Sequence, residues 1–129
     1  MRGYVLDAGA LGVLDERDES ARRIVRVVAD AAAKELSLVV PATALAQAYF
    51  DGARQARLAR LVGQAYVVIA VLDRTSAKAV GAMRHHTRHP DVVAVHVAWV
   101  ARTHDLTVVT SDPSDFKKLG IAANRIITV

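Results

Sequence analysis

The stretch Tyr4-Val5-Leu6-Asp7-Ala8-Gly9-Ala10 sets the fold of this chain. An apolar run closes on one acid, and small residues follow at once. That pattern is a first β-strand, from about Gly3 to Leu6, delivering Asp7 to its C-terminal end, where open α/β sheets place their ligands. A second stretch near the other end, Leu106-Thr107-Val108-Val109-Thr110-Ser111-Asp112, repeats the logic. Two strands that each end in an Asp suggest two carboxylates meeting at one sheet edge, and they raise the question of a metal site.

Working outward, small apolar residues from Ala8 to Leu14 fit a turn of helix close to Asp7. The polar break Asp15 to Ser20 caps a helix over 20–34, with Ile24, Val27, Val28 and Ala31 at helical spacing. Leu36 to Val40 is a second strand, stopped by Pro41. A helix follows from Pro41 to Phe50 and another from Ala53 to Val62. Tyr66 to Val71 is apolar throughout, as a strand buried in a parallel sheet would be. Asp73 starts a helix reaching about His86, and Asp91 to His104 is a strongly apolar helix. A fourth strand spans Leu106 to Thr110, a helical turn Asp115 to Leu119, and a last strand Arg125 to Val129. Strands alternate with helices and no hairpin signal intervenes, so the fold class is α/β with a parallel sheet of about five strands covered on both faces.

The totals are consistent with this. A chain of 129 residues is expected to form a single domain, 1–129, whose core can bury roughly two-thirds of the unfolded surface without a disulfide or metal staple. A hydrophobic content of 53% argues against disorder. There is no Cys, which suits a reducing, cytoplasmic location. Met1 to Tyr4 shows no signal-peptide apolar region, and no apolar run is long enough to span a bilayer, so no membrane partner is expected. The net charge of +4, carried largely by Arg, points mildly to nucleic acid or an acidic protein.

If the first and fourth strands are neighbours, Asp7 and Asp112 share one edge. Converging buried carboxylates raise one another's pKa, and a hard cation such as Mg²⁺ or Mn²⁺ relieves that cost. The chemistry that follows is a metal-activated water attacking a phosphodiester. The plainer alternatives are that Asp7 caps a turn and that Asp112 or Ser114 caps the helix beginning near Asp115.

The chain resembles the PIN-domain ribonucleases, and within them the VapC-type toxins of toxin–antitoxin pairs. The residues that carry the resemblance are Val5-Leu6-Asp7-Ala8-Gly9, Val40 to Gln47, Asp91 to His104, and Val108-Val109-Thr110-Ser111-Asp112-Pro113-Ser114-Asp115-Phe116. The resemblance implies a three-layer α/β/α sandwich, a Mg²⁺ or Mn²⁺ site built from three or four acids, an RNA substrate, a cognate antitoxin and the homodimer common in that family. Matched position by position, Asp7 is the first acid, Asp112 the late acid and Asp115 the auxiliary one.

Two positions depart from the family pattern. Gln47 stands where a Glu is usual and brings no charge to a cation. Ala94 stands where another acid opens the helix before the fourth strand. Asp91, one helical turn earlier, either replaces that carboxylate or caps the helix after Pro90. The expected catalytic and metal-binding residues are therefore Asp7, Asp112, Asp115 and Asp91. The alternative function is a catalytically degenerate module that binds RNA or a protein.

Other groups have their own readings. His85, His86 and His89 lie among Arg84 and Arg88, as a basic patch beside the site, a solvated helix end or, at the His85–His89 spacing, a zinc pair. His96 reads as a packing histidine or a group at the site edge, and Trp99 as core or interface. The Thr110 and Ser111 hydroxyls stand ready to bind a water or a carboxylate. Arg54, Arg57 and Arg60 form a basic stripe, either solvated or facing RNA or an acidic antitoxin segment. A receiver domain also gathers acids at strand ends, but it needs an acidic pair after the first strand and a Lys after the fifth, and this chain supplies neither.

Overall fold

A computed structural model describes residues 2–129; Met1, the start of the segment read as lacking a signal peptide, lies outside them. Five strands, β1 (Gly3–Leu6), β2 (Ser37–Pro41), β3 (Val67–Ala70), β4 (Thr107–Thr110) and β5 (Ile126–Thr128), form one sheet in the order β3-β2-β1-β4-β5. Every pairing is parallel, with Val5 opposite both Val39 and Val108. The chain moves outward from β1 to β2 and β3, then returns to lay β4 on the other side of β1. Parallel neighbours need crossover connections, which are right-handed as a rule, and the reversal of strand order leaves a crevice between β1 and β4.

The connections are α1 (Ala8–Gly12) and α2 (Glu19–Ala33), α3 (Ala42–Ala48) and α4 (Ala56–Val62), α5 (Arg74–Thr87) and α6 (Val92–His104), and α7 (Pro113–Lys118) with a short 3₁₀ turn at Ala123–Arg125. Each has a local cause. Asp18 caps α2 by accepting from the Ala21 N–H, and Ala21, Ile24, Val27 and Ala31 form its buried face. Its outer arginines, Arg22, Arg23 and Arg26, all reach Glu19. Asp73 and Ser76 close a reciprocal capping box on α5. The central helix is α6, buried on nearly every side through Ala94, Val95, Val97, Ala98, Val100 and Ala101.

The core joins Val5, Leu6, Leu38, Val40, Val108 and Val109 of the three inner strands to Ile24, Leu58, Val95 and Phe116 from the helices. Burying each such side chain stabilises the fold by about 1.5–3 kcal/mol. Gly3 is required where β1 meets β2: its φ is +150°, and a Cβ there would stand 2.1 Å from the Ser37 carbonyl oxygen.

Several expectations need correction. The apolar run over 66–71 is not buried on both faces: β3 is an edge strand, and Val68 is 54% exposed. Val67 is buried in the core, while Val68 satisfies strand propensity without burial. Helix α4 starts at Ala56, not Ala53, because residues 51–54 form a turn, and Gln55 ties down the backbone leading into it, accepting from the Phe50 and Asp51 N–H groups and donating to the Ala48 carbonyl. Asp15 belongs to a different helix than its neighbours suggest: its carboxylate accepts from the Arg57 and Leu58 N–H groups, capping α4 from across the chain.

Candidate functional site

Because β1 and β4 are adjacent and parallel, their C-terminal ends reach the same edge. The Asp7 N–H donates to the Val109 carbonyl at 3.1 Å, so the ladder continues up to the acid itself. Its carboxylate is held at both oxygens. Oδ1 accepts from the Ala10 N–H at 2.7 Å, which caps α1, and Oδ2 accepts from the Thr110 hydroxyl. The same hydroxyl oxygen accepts from the Asp112 N–H at 2.8 Å. One fully buried threonine thus ties the two strand-end acids together, which the Thr110 reading anticipated. Gly9 packs directly against Ser111, whose Oγ lies 2.2 Å from where a Cβ would stand, so any side chain at position 9 would make the serine turn away.

The neighbouring acids are set differently. Asp112 occupies the N-cap position of α7 but makes no side-chain cap, so the capping alternative does not hold for it. Its Oδ1 instead accepts from the Ser114 hydroxyl at 2.8 Å. Asp91 caps α6, its Oδ1 accepting from the Val93 N–H at 2.9 Å and the Ala94 N–H at 3.4 Å. Asp115, in the first turn of α7, places Oδ1 at 3.2 Å from His89 Nε2. His89 Nδ1 accepts from the Asp91 N–H at 3.2 Å. With Nδ1 accepting, Nε2 is the ring nitrogen that donates to Asp115.

Asp7, Asp91, Asp112 and Asp115 line one cavity of about 170 Å³, together with Gln47 and Ala94. Capping and lining are thus compatible for Asp7 and Asp91. Burial pushes the Asp7 carboxyl above the usual carboxylate range. The Thr110 and Ala10 hydrogen bonds oppose that rise, and the charges of Asp112 and Asp115 add to it. Asp112 moves the other way, held down chiefly by its hydrogen bond from Ser114. Oxygen donors that repel one another suit a hard divalent cation. Among the described residues, no three His, Cys, Asp or Glu side chains stand close enough together to enclose a metal. Among those residues there is no closed cage, and the carboxylates could offer a hydrated hard cation at most one or two ligands.

The remaining candidates separate clearly. α5 ends at Thr87, so His89 is off the helix and the i, i+4 zinc spacing is not presented. Instead Arg84, His85, His86, Arg88 and His89 line a second, open pocket of about 680 Å³. His96 is fully buried, with Nδ1 at 2.7 Å from Thr43 Oγ1 and its ring stacked near Trp99 at 6.5 Å, a packing histidine. Desolvation lowers its pKa. The arginine stripe is split: Arg54 lies in the turn before α4 and pairs with Asp51, while Arg57 and Arg60 flank an apolar groove beside Val25 and Val28 of α2. The contact between His89 and Asp115 was not legible in the sequence, where the only signal was the proximity of His89 to Asp91.

No protein-family model and no curated protein matches the chain by sequence. Its fold matches solved structures. One is FitAcB from Neisseria gonorrhoeae, at TM-score 0.66 and 17% identity, covering 97% of this chain and 96% of that one. Another is FitAB bound to an IR36 DNA fragment, at TM-score 0.62 and 16% identity, covering 97% and 94%. These likenesses give the chain the PIN-like α/β fold that the sequence resemblance implied.

Proposed function

We propose that this chain is a divalent-metal-dependent endoribonuclease and the toxin of a VapBC-type toxin–antitoxin pair. The observation that carries this is the convergence of Asp7, Asp91, Asp112 and Asp115 on one cavity at the β1–β4 crevice. The likeness to FitAcB over nearly the whole chain supports it.

Asp7 and Asp112 would hold the cation, with Asp115 and Asp91 completing the anionic wall. When bound, Mg²⁺ or Mn²⁺ supplies a water acidified for attack and a counter-charge for the phosphodiester. The chain's own contribution is placement. Thr110 fixes the spacing of Asp7 and Asp112, Ser114 keeps Asp112 ionised, and His89 orients Asp115. Gly9 lets Ser111 pack beside Asp7, and the short Ala94 side chain keeps the cavity wall low for an approaching strand. A cognate antitoxin would neutralise the site by covering this cavity, and a homodimer would fit the same reading.

The test is incubation of labelled single-stranded RNA with purified protein and Mn²⁺. Cleavage that stops with EDTA and in Asp7→Asn supports the reading. No cleavage at high protein, or cleavage that persists in EDTA, overturns it. A second reading, a binding module without catalysis, draws on the uncharged Gln47 and Ala94 in the cavity wall. Cleavage gained in Ala94→Asp where the parent has none would establish that one.

A further inference from the structure

We propose that the pocket formed by Arg84, His85, His86, Arg88 and His89 binds the phosphates of the RNA strand that flank the scissile one. This deepens the endoribonuclease reading and rests on it. The pocket holds about 680 Å³, opens to solvent, and has no acid in its lining. Among the described residues neither Arg84 nor Arg88 pairs with a carboxylate, whereas Arg22, Arg23, Arg26, Arg54 and Arg125 do. Their guanidinium groups remain available for bidentate contact with phosphate.

Helix C-termini favour basic residues on their own account, and this one ends in Arg84, His85 and His86. That requirement amounts to roughly half an elementary charge. Two full guanidinium charges exceed it, and Arg88 lies beyond the helix. The pocket is also joined to the acid cavity. Arg88, His89, Pro90 and Asp91 follow one another along the chain, His89 lines the pocket, and its Nε2 donates to Asp115 in the cavity wall. A single strand crossing His89 would have its flanking phosphates on the arginines and one phosphodiester among the acids. Nothing in the acid cavity itself attracts a polyanion, so a basic flank supplies the affinity that the site lacks.

The experiment is fluorescence anisotropy of a short labelled single-stranded RNA with the full chain in EDTA, over a salt series. A parallel Mn²⁺ cleavage assay reports on the nuclease reading separately. R84A/R88A is expected to bind several-fold more weakly at low salt. Its log K against log salt should be shallower by about 1.4, the loss of two phosphate contacts to a single strand. R22A/R26A, the same charge change on α2, should leave the slope as it is. An unchanged slope in R84A/R88A, or an equal shift in R22A/R26A, overturns the proposal even where cleavage proceeds. Wild-type protein that neither binds nor cleaves RNA overturns the nuclease reading with it. The substituted side chains are exposed, and the folding of each variant is to be checked by circular dichroism.

Discussion

The acid cavity and the basic pocket touch through His89 and Asp115, yet they are built by opposite means. The cavity is small, and its deepest member, Asp7, sits on a strand end with both oxygens hydrogen-bonded. The pocket is open and hangs on the last turn of α5 and the residues after it. Strand ends at a sheet crevice are rigid, which suits groups whose spacing decides chemistry. A helix end with long, exposed arginines suits adaptable contact with a backbone of repeating charge. The difference implies that substitutions in the cavity change rate, while those in the pocket change affinity and its salt dependence.

The sharpest break in that comparison is Asp7→Asn. Asn caps helices well, and its carbonyl can still accept from Ala10 while its amide donates to Thr110 Oγ1. The fold survives, and the repulsion from Asp112 and Asp115 disappears. Melting temperature should hold or rise, while cleavage in Mn²⁺ falls by about a hundredfold or more. Stability lost along with cleavage would mean that Asp7 is a structural cap and no more.

Next in size is Thr110→Val, which keeps the shape and removes the hydroxyl between the acids. Asp7 Oδ2 loses its donor and the Asp112 N–H its acceptor, both at a fully buried residue. Unfolding in urea should show a loss of about 1–3 kcal/mol. Cleavage should fall with it, because the Thr110 hydroxyl is the group that bonds to both acids. A variant as stable as the parent would show that the hydroxyl is not part of the frame.

These two residues also mark what the sequence made legible. Asp7 and Asp112 could be placed together from two apolar runs ending in acids, since parallel strands must point their ends the same way. The alternation of strands and helices gave the sheet and most element ends. Contacts whose partners lie far apart in the chain carry no such local signal. Asp15 stands in a polar break beside α2, yet it caps α4. The β3 run reads as buried because apolar composition reports propensity and burial together, and only the strand order shows that it lies at the edge. His89 was legible as basic and near the site, but its ring geometry depends on how the loop after α5 turns.

A smaller effect separates the histidines. Those of the pocket are exposed or linked to Asp115, whereas His96 is fully buried against Thr43. Burial lowers the His96 pKa, so the folded state resists protonation that the unfolded chain accepts. Above about pH 6.5 both states are neutral and the fold keeps its full stability. As pH falls below that value the unfolded chain takes up the proton first. Stability then drops, by at most about 1.4 kcal/mol per pH unit from this group. Urea midpoints measured at pH 7 and pH 5 should separate in the parent and converge in His96→Gln. Equal separation in both would assign the effect to another group.

The smallest expected change in stability is Arg88→Gly, and it tests the pocket most cleanly. Arg88 holds a left-handed backbone with φ of +56°, a conformation glycine adopts without cost. Relief of that strain favours the variant, and the extra freedom of the unfolded chain opposes it. Both effects are of order 1 kcal/mol and of opposite sign, so the net change in unfolding free energy should lie within about 1 kcal/mol of zero. The guanidinium is nonetheless gone, and RNA retention in EDTA should weaken with a shallower salt dependence. A variant that folds as the parent does and still holds RNA with the parent's salt slope would leave the acid cavity alone as the place where this chain meets its substrate.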